Sequence, residues 1–145
     1  MTNTMATNPE HLGLSIPSRP KYLQLVRGMV KKISGTIGMG DDAAAEIMLA
    51  VVEACSNSIK HSYKGQPHGQ INIFWEITQT ELIIIIEDFG CQWEPDSLAP
   101  RDLDEIRPGG LGMHIMQCVM DCVDFDCSST LRNQVKMIKQ LGKKP

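Results

Sequence analysis

Residues 70–88 hold two strand-like runs separated by a turn too short to join anything but neighbouring strands. In QINIFWEIT, Ile71, Ile73, Trp75 and Ile77 alternate with Asn72, Phe74 and Glu76, the period-two pattern of a strand with one buried face. After TQTE comes LIIIIED, apolar until its two terminal acids. Parallel strands need a crossover of a dozen or more residues, so these two runs predict an antiparallel hairpin. The unbroken apolar character of the second predicts a central place in the sheet.

A sheet of this kind must bury a face, and the remaining sequence offers helices to cover it. In SRPKYLQLVRGMVKKISGTIG, Leu23, Val26, Val30, Ile33 and Ile37 recur at spacings of three and four, the mark of an amphipathic helix. Ser18 is its expected N-cap, Pro20 suits its first turn, and Gly38 and Gly40 end it. Asp41 or Asp42 is expected to cap a second helix, from about Ala43 to His61. Ile47, Val51, Ala54 and Ser58 form one flank of it, beside Met48, Val52, Cys55 and Ile59. A third helix is expected from about Leu111 to Cys122, with Leu111, Ile115, Val119 and Cys122 on one face. HLGLSIP reads as a short edge strand stopped by Pro17, and VDFDCS and QVKMIKQL read as a final strand pair. The resulting order, β-α-α-β-β-loop-α-β-β, predicts an α+β fold: a two-layer sandwich of a mixed, mainly antiparallel sheet with helices on one face. Residues 1–10 are expected to be a disordered tail and residues 11–145 a single domain.

A chain of 145 residues suits one domain and can build a core without disulfides or metals. Its net charge of −3 argues against non-specific binding to nucleic acid or an anionic membrane. The polar start lacks the apolar core of a signal peptide, and no apolar run approaches the roughly 20 residues that span a bilayer, so a cytoplasmic protein is expected. The cysteines, Cys55, Cys91, Cys118, Cys122 and Cys127, are odd in number and include no CxxC, so buried reduced thiols are expected rather than a disulfide framework or zinc knuckle. Cys118 and Cys122, four apart, are expected to share a helix face.

Three short stretches can carry chemistry. In EACSN, Glu53 stands one helical turn before Asn57, on a stripe that also holds Glu46, Lys60 and Lys64. Such a stripe is ordinarily the wet side of a helix, but Asn is a mediocre helix former because its side chain competes for backbone hydrogen bonds. In EDFG, Asp88 ends the apolar strand and Gly90 permits a sharp turn. An ordinary turn aspartate is the plain reading, and an acceptor for an exocyclic amine the functional one. In RPGGLG, Arg107, Gly109, Gly110, Leu111 and Gly112 open the third helix, where bare backbone N–H groups can approach a phosphate. The stretch between Phe89 and Gly110 is long for a connection inside a compact domain and of a length that is often functional.

The order and spacing of these stretches resemble the GHKL ATP-binding superfamily, which includes histidine kinases and gyrase. EACSN corresponds to its N-box, DFG to its first glycine box and GGLG to its second. Within the superfamily the chain is similar to the stand-alone anti-sigma-factor serine/threonine kinases of bacterial partner-switching systems, over about residues 12 to 141. IPSRPKYLQLVR, EACSNSIKHSY and GGLGMHIMQCVMD carry that likeness. The resemblance implies ATP as substrate and Mg²⁺ as cofactor. It implies Glu53 as catalytic base and Asn57 as the Mg²⁺ ligand. It further implies that Asp88 receives the adenine amine, that His61 and Gly90 line the pocket, and that Arg107, Gly109, Gly110, Leu111 and Gly112 lie at the phosphates. The partners it implies are a sigma factor, which the protein would inhibit, and an anti-anti-sigma factor, which it would phosphorylate. A homodimer through the first helix is also implied.

Two positions depart from that family pattern. Gln92 stands where the first glycine box has its second glycine, and Asn133 and Gln134 stand where a Gly-Thr pair usually precedes the last strand. The competing readings are a module that holds nucleotide or a partner without catalysis, and an ATPase domain cut from a histidine kinase. The intact Glu53 speaks against the first. Against the second, the only histidine ahead of the first helix is His11, at the start of the expected domain.

Overall fold

The structure, a computed structural model, describes residues 8–93 and 111–142. Five strands form one sheet: β1 (Glu10–Pro17), β2 (Gln70–Ile77), β3 (Glu81–Asp88), β4 (Cys122–Asp126) and β5 (Asn133–Gln140). They lie in the order β1-β2-β3-β5-β4, and every neighbouring pair is antiparallel. The sheet is thus antiparallel throughout rather than mixed, and the connections explain it. Two helices, α1 (Leu23–Thr36) and α2 (Asp41–Asn57), join β1 to β2 and return the chain to the end where β1 finished. One helix, α3 (Leu111–Val119), precedes β4, which therefore runs the same way as β3, but β5 is inserted between the two. β1 opens at Glu10, one residue inside the expected tail; residues 1–7 lie outside the described set.

One face of the sheet meets the helices. It buries Ile16, Ile71, Ile73, Trp75, Leu82, Ile84, Ile86, Val135 and Met137. The hairpin pairs Trp75 with Ile84 and Ile71 with Asp88, so the buried rows of β2 and β3 coincide. β3 is central, as expected, but only one of its faces is sealed, because Ile83 and Ile85 stay half-buried on the outer side. Burying the nine apolar side chains of the inner face is the main force holding the layers together, at about 1.5–3 kcal/mol for each large aliphatic side chain.

α1 buries Leu23, Val26, Val30 and Ile33, as their spacing predicts. Ser18 does not cap it. Its hydroxyl donates to the Gln66 carbonyl at 2.6 Å and accepts from the Gly69 N–H at 2.9 Å, tying the end of β1 to the loop before β2. A single 3₁₀ turn (Pro20–Tyr22) leads into α1 instead. Gly40, not an aspartate, is the N-cap of α2; Asp41 and Asp42 lie in its first turn, where carboxylates favour the helix dipole.

α3 is rotated from its expected setting. It ends at Val119, and its buried residues are Met113 and Met116, followed by Met120 just beyond the helix. Ile115 and Val119 are half-buried, and Cys122 belongs to β4, so it shares no helix face with Cys118. The methionines repeat at helical spacing as well as the aliphatic residues do, and their unbranched side chains fit the irregular space beside α2. Among the described residues, no helix is long and apolar enough to cross a membrane.

Candidate nucleotide site

Glu53 and Asn57 are both half-buried on α2, whereas Glu46 and Lys60, at the ends of their stripe, are exposed. A merely solvated stripe would be wet along its whole length; this one is covered in its middle. α3 contributes to the cover, since it packs on α2. A Cβ built on Gly112, the second residue of α3, would lie 2.4 Å from Oε2 of Glu53 and 3.2 Å from its Cδ. Position 112 must be free of a side chain for Glu53 to keep its place. The start of α3 also brings the positive end of a helix dipole to that carboxylate.

Past Asn57 the helix widens into a π-turn, Ser58–Ser62. Bonding to the fifth residue instead of the fourth adds one residue to the turn. Position 62, not 61, therefore continues the stripe of Glu53 and Asn57. Ser62 is buried and His61 is exposed. His61, expected to line the pocket, is not among the residues hydrogen-bonded around Asp88 in the described structure.

Asp88 closes β3 and is fully buried. Its Oδ2 accepts the Ser62 hydroxyl at 2.7 Å. Its Oδ1 accepts the Asn133 amide at 2.9 Å and the Gly90 N–H at 3.1 Å. Hydrogen bonds to an ionised group are shorter and stronger than neutral ones, so three of them can compensate for burying a carboxylate. The turn that follows is pinned to the same place. The Cys91 N–H donates to the Ser62 carbonyl at 2.7 Å, and the Trp93 indole N–H donates to the Ser62 hydroxyl oxygen at 2.7 Å. A Cβ on Gly90 would come within 2.4 Å of the Ser62 carbonyl oxygen, so this close approach requires glycine. Tyr63 clamps the other side. Its hydroxyl donates to the Gln70 carbonyl at 2.5 Å and accepts the Phe89 N–H at 2.8 Å. Burial, together with the nearby Asp88 charge, pushes the Tyr63 phenol above its ordinary value, against the lowering effect of its backbone hydrogen bonds.

The two departures from the family pattern are used structurally. Gln92 donates its side-chain amide to the Cys127 carbonyl. Of the Asn133 and Gln134 pair, only Asn133 reaches Asp88; Gln134 lies half-buried opposite Glu87. Ser62, Trp93 and Asn133 were not among the expected site residues. Ser62 was hidden by the π-turn, but Asn133 had a signal: a polar residue at the start of a strand whose register falls opposite Asp88.

Expected residues thus gather along one line. Glu53 with Gly112 marks one end, Asp88 with Gly90 the other, and Asn57 lies between them on the helix. Ser62 stands nine positions after Glu53, roughly 13 Å of helix. Leu111 opens α3. Arg107, Gly109 and Gly110 lie outside the described residues. Among these residues Asn57 offers a neutral oxygen suited to Mg²⁺, which takes few protein ligands and fills its shell with phosphate oxygens and water. The side of Gly112 that a Cβ would fill is taken by the Glu53 carboxylate. A cleft of about 830 Å³ lined by Ile37, Met39, Ile77 and Leu141 lies at the opposite end of the sheet and contains none of these groups.

Residues 16–139 match the family model of the histidine kinase-like ATPase domain. The serine-protein kinase RsbW of Listeria monocytogenes is 31% identical, over 82% of this chain and 81% of the relative. The serine-protein kinase RsbW of Bacillus subtilis is 27% identical, over 81% of this chain and 78% of the relative. Two solved structures share the fold. The RsbU and RsbW domains of Rv1364c from Mycobacterium tuberculosis superpose with a TM-score of 0.65 at 14% identity, over 92% of this chain. The histidine kinase domain of Erythrobacter litoralis EL346 blue-light activated histidine kinase does so with a TM-score of 0.54 at 18% identity, over 86% of this chain. This chain spans 32% of the former structure's chain and 61% of the latter's. The chain belongs to the histidine kinase-like ATPase domain family, whose fold binds ATP, and within it to the RsbW serine-protein kinase group.

Proposed function

We propose that the chain is an ATP- and Mg²⁺-dependent protein serine/threonine kinase that binds and inhibits a sigma factor and phosphorylates an anti-anti-sigma factor. The observation that carries this reading is the Glu53 carboxylate held against the start of α3 at Gly112. A protein that only sequestered a partner would need no carboxylate confined there. The naming of its relatives as serine-protein kinases supports the same reaction class.

In this reading Asp88 receives the adenine amine, and Asn57 holds Mg²⁺, which neutralises charge on the phosphates. The N–H groups opening α3, with Arg107, Gly109 and Gly110 before it, hold phosphate oxygens. Glu53 takes the proton of a serine or threonine hydroxyl on the partner. The hydroxyl oxygen bonds to the γ-phosphorus as the bond to the β–γ bridging oxygen breaks, and ADP leaves. Positioning and charge neutralisation do most of the work in such transfers, and a carboxylate base adds about 10²–10⁴-fold.

The first helix is the proposed homodimer contact. It offers exposed Leu25, with exposed Lys21 four residues before it and exposed Lys32 seven residues after it on the same side. Pairing two such faces sets like charges together, so self-association there strengthens as salt screens them.

The test is incubation with γ-labelled ATP, Mg²⁺ and a cognate anti-anti-sigma factor. The kinase reading expects label on a partner serine or threonine, lost in Glu53→Ala while Mg·ADP binding persists. Unaltered transfer in Glu53→Ala removes Glu53 from the role of base, and transfer to no cognate partner favours the non-catalytic module.

A further inference from the structure

The line of site residues has a direction, and α2 continues it past Glu53. The Ser62 hydroxyl reaches Asp88, so the last turn after α2 lies at the Asp88 end of the sheet. The first turn of α2 lies at the other end, where Ala43 lines the cleft with Lys139 and Leu141. α3 finishes at that same end. The Lys139 ammonium donates to the Val119 carbonyl at 2.7 Å, and the Asp121 N–H donates to the Ile138 carbonyl at 2.9 Å. From the contact between Glu53 and Gly112 the two helices therefore run antiparallel. About one turn beyond that contact, away from Asp88, come Leu49 on α2 and Ile115 on α3. Leu49 is 48% exposed, the one large apolar side chain of α2 left so open, and Ile115 is half-buried. Asp42, Glu46, Leu49 and Glu53 follow at spacings of four, three and four, so they share one side of α2. Asp42 and Glu46 are exposed.

A single exposed leucine is ordinary on a protein surface. The place of this one is not, because the reaction proposed above has a geometry. In phosphoryl transfer the attacking and leaving oxygens stand roughly in line across the γ-phosphorus. With the nucleotide running from Asp88 towards Glu53, ADP leaves on the Asp88 side and the hydroxyl comes in from the opposite side. That side is the stretch of α2 and α3 that holds Leu49 and Ile115. We propose that Leu49, with Ile115 on the facing helix, is the docking site for the acceptor protein and takes an apolar side chain next to the phosphoacceptor serine or threonine. Beyond it Glu46 and Asp42 make the ridge acidic, so the acceptor segment carries basic rather than acidic side chains there. Leu49 touches no nucleotide in this arrangement; it selects the protein that receives the phosphoryl group.

This inference rests on the kinase reading above, and the experiment separates their failures. Initial rates of label transfer are measured at saturating Mg·ATP over a range of anti-anti-sigma factor concentrations. Mg·ADP affinity, melting temperature and oligomeric state are taken on each variant. Leu49→Gln keeps length and helix propensity while removing the apolar surface. It is expected to raise the KM for the acceptor protein about tenfold, with kcat and Mg·ADP affinity within about twofold of the wild type, the signature of lost uniform binding at an interface. Leu49→Met is expected to keep the wild-type KM. Leu131→Gln, the same change at a leucine 80% exposed near the Asp88 end of the sheet, is expected to leave KM alone. Glu46→Lys, which reverses the sign of the ridge, is expected to raise KM about threefold or more. Replacing the apolar neighbour of the acceptor hydroxyl by alanine in the partner should cost less against Leu49→Gln than against the wild type, because the two changes remove one contact. A KM unmoved by Leu49→Gln overturns the proposal and leaves the kinase reading standing. A KM that rises together with lost Mg·ADP binding and a lower melting temperature makes the residue structural and overturns it as well. A changed oligomeric state with an unmoved KM assigns this face to a second copy of the chain, with the same consequence. Transfer by the wild type to no partner overturns the kinase reading itself, and the docking site with it.

Discussion

Gly112 approaches Glu53 so closely that an added Cβ would stand 2.4 Å from the carboxylate Oε2. The atom in the way is the tip of a flexible side chain, so Gly112→Ala is accommodated by moving the carboxylate. The expected result is a phosphotransfer rate lowered by about 10- to 100-fold, since a misplacement near 1 Å can cost that much. The midpoint of thermal unfolding should stay close to the wild type's. Rate and melting temperature measured on the same preparation check the split, and a variant that melts early but transfers normally contradicts it.

Gly90 shows the reverse case. A Cβ there would lie 2.4 Å from the Ser62 carbonyl oxygen and 2.5 Å from its carbonyl carbon. Backbone cannot step aside as a side chain does, and overpacking of this kind costs about 1–3 kcal/mol. Urea unfolding of Gly90→Ala should show a loss in that range, alongside weaker nucleotide binding because the Asp88 turn is displaced.

The five thiols should separate by reactivity. Cys55 is completely buried, and burial pushes its thiol up to about 12. Cys91, Cys118 and Cys122 are exposed, and Cys127 is partly covered. Because the thiolate is the reactive form, a brief alkylation of the native protein followed by peptide mapping should label the three exposed cysteines first and Cys55 only after unfolding. Early labelling of Cys55 would contradict the packing of α2.

Alkaline stability follows from Tyr63. Its folded-state phenol is raised above the ordinary value of 10.0, first by burial. A raised group stabilises the fold fully below its unfolded value, and that contribution disappears as pH rises through the folded value. Stability should therefore fall above about pH 10, with a shallower fall in Tyr63→Phe. The check is denaturant unfolding at stepped pH, and identical slopes for the two proteins would contradict the assignment.

Much of the fold was legible from periodicity. The hairpin, its central strand and α1 follow from residues such as Trp75, Ile84 and Val26, whose spacing alone fixes a buried face. The likeness carried by EACSN and GGLG also brought Glu53 to the start of α3, where Gly112 meets it. What was not legible depended on effects that cross the local pattern. The π-turn after Asn57 put Ser62 where His61 was expected, because one extra residue in a turn leaves no compositional trace. The three methionines set the rotation of α3, since their periodicity competes with that of Ile115 and Val119. The role of Asn133 arises from strand register: it starts β5 directly across from Asp88, 45 residues away in sequence.

The central claim is that one site runs from Asp88 past Asn57 to Glu53 and takes a magnesium nucleotide. Its most direct test is a thermal-shift titration with Mg·ADP. A ligand at 100 times its Kd stabilises by about 2.7 kcal/mol, a rise of roughly 5–10 °C for a domain this small. A saturable rise of that size is expected with ADP and Mg²⁺ together, much reduced in Asn57→Ala. A melting temperature that does not move at millimolar Mg·ADP would contradict it.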